Sequence, residues 1–189
     1  CGTFRRFAAL SGQVPLVGIA AGRCFAGNAA LLGCCDVIIA TESSSIGMGG
    51  PAMIEGGGLG RVDADAVGPV AVLAPAGVAD MRVADDDAAI QMARQVLLGL
   101  SAGVIPGAHT PGADVQSLRQ ALPANRSALY DPRRIVHTLM DAGSVLELRR
   151  DFGTGLITAL ARLQGRAVAV AASQPHHLGG ALDAPACSV

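Results

Sequence analysis

The chain has 189 residues, 51% apolar and 15% charged, which is apolar material for one domain and part of another and excludes a disordered or charge-rich linker. All fourteen basic side chains are arginines, set against fifteen acids for a net charge of −1. The lack of lysine excludes Schiff-base and P-loop chemistry within the chain, and near-neutral charge with 3% aromatics and no tryptophan argues against nucleic-acid binding.

The five cysteines (1, 24, 34, 35 and 187) are odd in number, and two are adjacent in an apolar stretch. That pattern implies reduced, buried thiols in the cytoplasm rather than a disulfide framework. No CxxC or Cys/His cluster has zinc-ligand spacing. No apolar run reaches about 18 residues, so no transmembrane helix is expected. The opening CGTFRRF lacks a Met and does not read as a signal peptide, which points to a fragment.

In chain order, residues 4–10 read as the end of a helix and Pro15–Ala20 as a buried strand. A Gly-containing turn follows, then a small-residue helix over Asn28–Cys35 and a strand over Asp36–Ala40. Residues 43–60 read as a long Gly-rich loop with one turn at 52–55, and Gly77–Ala84 as a strand. Asp85–Leu100 opens with three aspartates that suit a helix N-terminus. Residues 101–125 are rich in Pro and Gly, as in a linker. A helix over Asp131–Asp141 leads to strands at 144–148, 155–163 and 166–172, the last two joined by Gln164-Gly165 as in a hairpin. Short strands followed by glycine turns predict a spiral α/β arrangement rather than a doubly wound sheet. Segments 16–31 and 168–182 echo each other as strand-turn-small-residue units, which implies two similar domains with the second cut off early.

The segment carrying chemistry is Gly22-Arg23-Cys24-Phe25-Ala26-Gly27-Asn28. A glycine turn running from strand into helix aims free backbone N–H groups at one point, a ready site for an oxyanion. Tight steric packing of a helix start explains the same residues equally well. Other features carry less. Glu55–Gly60 has dense glycine without a βαβ context, Ser43–Ser45 lacks a nucleophile elbow, and His176-His177 has no ligand partners at metal spacing. Arg5 and Arg6 read as solvated surface. Arg133, Arg134, Arg149 and Arg150 read as salt-bridged or surface groups ahead of any phosphate role.

Taken together, GRCFAGNAALLGCCDVIIA, IGMGGPAMIEGGGLG, GVADMRVADDDAA, LPANR…YDPRRIV and GSVLELRRDFGTGLITALARLQGRAVAVAAS resemble the carboxyltransferase (beta) subunit of biotin-dependent acyl-CoA carboxylases, of acetyl- or propionyl-CoA carboxylase type. The resemblance covers nearly the whole chain and places it in the crotonase superfamily. It implies an α/β, ClpP/crotonase-like spiral fold, present as a partial chain. Residues 1–100 would be the later part of the N-terminal domain, 101–130 the linker and 131–189 the start of the C-terminal domain.

The resemblance further implies transfer of a carboxyl group from carboxybiotin to the α-carbon of a short acyl-CoA, as in fatty acid metabolism. Gly27 takes the oxyanion-hole position and Asn28 supplies the second N–H; Ala26, Gly49, Gly50, Pro51 and Ala52 would contact substrate. Hydratases of the superfamily carry catalytic acids where this chain has Ala30 and Pro51-Ala52, so hydration is not expected. Implied partners are a biotin carboxylase and biotin carboxyl carrier subunit and further copies in a dimer-based oligomer, with exposed apolar surface at the contacts. No metal, nucleic acid or membrane is implied. The fragment alone is expected to be inactive. A CoA-dependent decarboxylase on the same scaffold and a non-catalytic truncated paralogue stand as alternatives.

Overall fold

The structure, a computed structural model, describes residues 2–100, 103, 115–125 and 128–189. The chain divides into two compact units, Cys1–Leu97 and Leu98–Val189.

The first unit opens with helix α1 (Gly2–Ala8), which buries none of its residues, and strand β1 (Val17–Ala20). Strand β2 (Arg23–Phe25) and helix α2 (Gly27–Leu32) follow, then β3 (Val37–Thr41), β4 (Ser45–Gly47), α3 (Pro51–Gly56), α4 (Val70–Leu73), β5 (Met81–Val83) and α5 (Asp86–Leu100). Two parallel sheets form, one ordered β1-β3-β5 and a smaller one pairing β2 with β4. Ile39 and Ala40 on the central strand β3 are fully buried, as Val/Ile-rich parallel strands require. Their sheet packs with Ala29 and Leu32 of α2 and Val70 and Ala74 around α4 in one apolar cluster.

Aspartates fasten the strand ends. The Asp36 carboxylate accepts from Leu16 N at 2.8 Å, and that of Asp80 from Ile38 N at 2.7 Å. Gly18 on β1 admits α2 closely: a Cβ there would lie 2.6 Å from Leu32 Cδ1 and 2.9 Å from Cys35 Sγ. Gly68 has φ +59° and would bring a Cβ within 2.0 Å of Ile46 O, so this turn against β4 requires glycine.

The second unit contains α6 (Val115–Ala121), α7 (Pro132–Leu139), β6 (Leu146–Leu148), β7 (Leu156–Leu163) and β8 (Arg166–Ser173). Its sheet is antiparallel, in the order β6-β7-β8. Asp131 caps α7 by accepting from Arg133 N at 3.0 Å, and Pro132 occupies the first helical position. Arg133 forks onto Glu147 through Nε at 2.9 and 3.0 Å and through Nη2. The β7–β8 hairpin turns on Gln164 (φ 53°) and Gly165 (φ 75°), whose N–H groups both donate to the buried Asp141 carboxylate at 2.9 and 2.7 Å.

Four expectations change. The turn at 22–25 contains strand β2, and the loop at 43–60 contains strand β4 and a full helix at 51–56. Both strands are three residues long and find their partner about 20 residues away, so neither leaves a local periodicity to read. The echo at 168–182 is partial: β8 is antiparallel and leads into a 3-10 turn at 178–180, whereas β1 is parallel and the chain after it reaches an α-helix. Of the stretch read as linker, residues 115–121 are helical, and much of the rest lies outside the described residues.

Candidate active site

The site is built on the β2–β4 pair. Phe25 stands opposite Gly47 in the parallel register, and Ala26 N extends the ladder by donating to Gly47 O at 3.0 Å. Because the strands are parallel, the chain leaves both at the same end, where open α/β sheets place ligands. The two segments singled out from sequence, 26–28 and 49–52, are thus brought together. The ring of Phe25 fills the space between them, with its Cδ2 3.3 Å from where a Gly50 Cβ would be.

Ala26 is the N-cap of α2 with φ 53° and ψ −121°, a conformation that costs a residue with a Cβ about 1–3 kcal/mol. That ψ sets the plane of the following peptide, and so the direction of the Gly27 N–H. Gly27 and Asn28 occupy the first two helical positions, where no intrahelical acceptor exists. Neither N–H has a partner among the described residues; the first hydrogen bond of the helix ladder is Ala30 N donating to Ala26 O at 3.0 Å. Asn28 lines an open cavity of about 420 Å³, together with Phe7, Gly22, Cys24 and Cys35. Gly27 lies beside it under the Phe4 ring, whose Cζ is 3.3 Å from the position a Cβ would take.

On the other side Gly50 caps α3 in extended conformation and Pro51 occupies its first position, an unstrained helix start. Gly49 lies against Met53, whose Sδ is 3.0 Å from a notional Cβ. Met48, Met53 and Leu59 are exposed to 66%, 64% and 81%, giving this flank an apolar surface.

Buried hydroxyls hold the floor of the cavity. Ser44, 1% exposed, donates to Ala20 O at 2.6 Å and accepts from Gly22 N at 3.2 Å, while Thr41 Oγ1 lies 2.9 Å from Ser44 Oγ. Sequence reasoning weighed Ser43–Ser45 only as nucleophiles and missed this role; a serine run following a buried strand was the available signal. Burial pushes the Cys24 and Cys35 thiols up, so both stay protonated and poorly nucleophilic. Arg23, which lines the cavity, pairs with Asp65 at 2.9 Å. No group of His, Cys, Asp and Glu suited to a metal ion occurs among the described residues. Nor is any helix there long and apolar enough to cross a membrane.

Residues 2–188 match the carboxyl transferase domain. The chain belongs to that family. Over 180 residues this carboxyl transferase chain is 34% identical to the methylmalonyl-CoA carboxyltransferase 12S subunit of Propionibacterium freudenreichii subsp. shermanii, covering 92% of itself and 34% of the relative. Over 188 residues it is 29% identical to the propionyl-CoA carboxylase beta chain of Roseobacter denitrificans, covering 95% of itself and 37% of that protein. It therefore spans about a third of the length of these relatives. Among solved structures, a single-chain, multi-domain long-chain acyl-CoA carboxylase superposes with TM-score 0.93 at 48% identity, over 98% of this chain and 19% of that one. A transcarboxylase 12S hexamer with hydrolysed methylmalonyl-CoA bound superposes with TM-score 0.83 at 30% identity, over 97% and 38%. These likenesses bear out the crotonase-like α/β class and the carboxyltransferase resemblance.

Proposed function

We propose that the protein is the carboxyltransferase component of a biotin-dependent acyl-CoA carboxylase, and that Gly27 and Asn28 donate their backbone N–H groups to the thioester oxygen of the acyl-CoA. The observation that carries this is the pair of adjacent, unpartnered donors at a helix start on a strained turn, with Asn28 facing a cavity. An enolate formed at the α-carbon places negative charge on that oxygen, and preorganised N–H donors stabilise it without moving. Ala26 and the 49–52 segment flank the thioester and position it. Carboxybiotin, brought by a carrier from a partner biotin carboxylase, supplies the carboxyl group and, once discharged, a ureido nitrogen able to take the α-proton. No side-chain base is then needed, consistent with Ala30 and Pro51-Ala52 standing where hydratases carry acids.

The reaction proceeds in the cytoplasm in a homo-oligomer, and the biotin-side donors come from a part of the protein outside these residues. The short acyl-CoA reading rests on the propionyl- and methylmalonyl-CoA relatives. The 48% identity to the long-chain carboxylase favours a second reading, a long acyl chain lying against Met48, Met53 and Leu59. The test is carboxyl transfer by the protein assembled with its biotin carrier and carboxylase, on acetyl-, propionyl- and palmitoyl-CoA. Transfer to one or more supports the reading and ranks the chain lengths. Transfer to none, with the carrier shown to be carboxylated, overturns it.

A further inference from the structure

The first acid in the sequence is Asp36, so residues 1–35 carry Arg5, Arg6 and Arg23 and no negative side chain. Asp36 itself is engaged by Leu16 N, and Arg23 is neutralised by Asp65. That leaves Arg5 and Arg6 on α1. Neither forms an ion pair with any described residue, whereas Arg23, Arg61 and Arg82 of the same unit each hold a carboxylate at 2.9–3.2 Å.

The two arginines differ in placement. Arg6 lines a groove of about 720 Å³ along α1 with Gly2, Thr3, Phe7 and Leu10. Phe7 also lines the cavity that contains Asn28, so it is common to groove and cavity. Phe4, one turn earlier, contacts the Gly27 position and fixes α1 beside the donor turn. Phe7 thus stands between the cavity that contains Asn28 and the groove that contains the unpaired Arg6 guanidinium, and α1, α2 and the segments between them carry no carboxylate to repel an anionic ligand.

Resting on the carboxyltransferase reading, we propose that Arg6 anchors the phosphorylated nucleotide end of coenzyme A, with Phe7 flanking the pantetheine arm between that end and Asn28. Arginine suits the task because its planar fork matches phosphate oxygens in pairs. In an exposed groove one such contact is worth about tenfold in affinity and weakens with added salt.

The test is calorimetric titration of the protein with coenzyme A and, separately, with pantetheine, which lacks every phosphate. Arg6→Gln, Arg6→Lys and, as a control for loss of one charge elsewhere in the unit, Arg61→Gln are compared. The expected result is an approximately tenfold rise in the Kd of coenzyme A for Arg6→Gln, a smaller rise for Arg6→Lys, and a change within twofold for Arg61→Gln. The pantetheine Kd should stay unchanged throughout, and the Arg6→Gln deficit should vanish in 0.5 M salt. A coenzyme A Kd unchanged by Arg6→Gln, or pantetheine binding that falls equally, overturns the proposal. So does an equal loss with Arg61→Gln. The outcomes separate from those of the parent reading: carboxyl transfer with an Arg6-independent Kd removes only the anchor. Arg6-dependent binding without transfer removes only the reaction, and failure of the unaltered protein to bind coenzyme A removes the anchor outright.

Discussion

Phe25 and Gly47 are partners in the β2–β4 register, and the residue after each leads into one of the two segments that flank the candidate site. The pairing is extended by Ala26 N donating to Gly47 O at 3.0 Å. Gly47 has no side chain to displace the Phe25 ring, whose Cδ1 sits 3.6 Å from its notional Cβ, so the ring can also reach Gly50. Three residues of strand thus align a helix start from residue 27 with another from residue 51.

The hydroxyl of Ser44 should matter more to stability than to chemistry. Ser44→Ala removes the partner of Gly22 N and one partner each of Ala20 O and the Thr41 hydroxyl, which keeps Ser43 at 3.2 Å. A buried unsatisfied group costs about 1–3 kcal/mol, so a lower denaturant midpoint with an unchanged m-value is expected. A midpoint equal to that of the unaltered protein would mean that water replaces the hydroxyl.

The elements legible in the sequence are those whose signals are local. Helix α5 follows from its acidic start and apolar periodicity, and the β7–β8 hairpin from Gln164-Gly165 at the turn. What escaped was made by distant partners. Strands β2 and β4 are three residues each and pair across about 20 residues of chain. Asp141, a charged residue that gives no burial signal of its own, is 3% exposed because two turn N–H groups 23 and 24 residues away bind it. Arg162 is buried for a similar reason, donating to Gly165 O at 2.7 Å and to Leu98 O. The glycine turn at the site was legible as a motif, but the strain at Ala26 was not, because alanine carries no turn signal of its own.

His176-His177 did not read as a metal site, and the structure uses the second histidine otherwise. His177 Nε2 lies 2.8 Å from Asp183 Oδ2, and Asp183 Oδ1 accepts from Ala186 N at 2.9 Å. These contacts, the backbone hydrogen bond first, hold the Asp183 carboxyl below the ordinary carboxylate range. A lowered folded-state pKa means that the contribution is present above the unfolded value and is lost as pH falls through the folded one. Melting temperatures of the unaltered protein should therefore fall more steeply below about pH 4 than those of Asp183→Asn. Parallel acid limbs for the two proteins would show that this carboxylate carries no linkage.

At Asn28 the role assigned is to the backbone. Asn28→Pro removes one donor at a helix position whose N–H has no intrahelical acceptor, so the helix ladder is untouched. Carboxyl transfer should fall by about 10²–10³, the usual effect of losing one oxyanion donor, while the melting temperature changes little. Asn28→Ala should retain activity within a few-fold. Equal losses in the two variants would assign the function to the side-chain amide instead.

Ala26 offers the most direct test of whether the turn is held under strain for the sake of the donors. Its φ of 53° with ψ −121° is a conformation glycine adopts freely and alanine does not. Ala26→Gly should relieve about 1–3 kcal/mol in the folded state and give back about 0.5–1 kcal/mol through the more flexible unfolded chain. The net gain of up to about 2 kcal/mol should appear as a higher denaturant midpoint with an unchanged m-value. Activity should be kept, since the same ψ, and with it the direction of the Gly27 N–H, is available to glycine. Ala26→Val should go the other way on both counts, because a β-branched side chain at positive φ forces the peptide to rotate and turns that N–H away. A loss of stability in Ala26→Gly would show that the alanine is unstrained; a stabilised Ala26→Gly protein with lost carboxyl transfer would show that the methyl group itself touches the substrate.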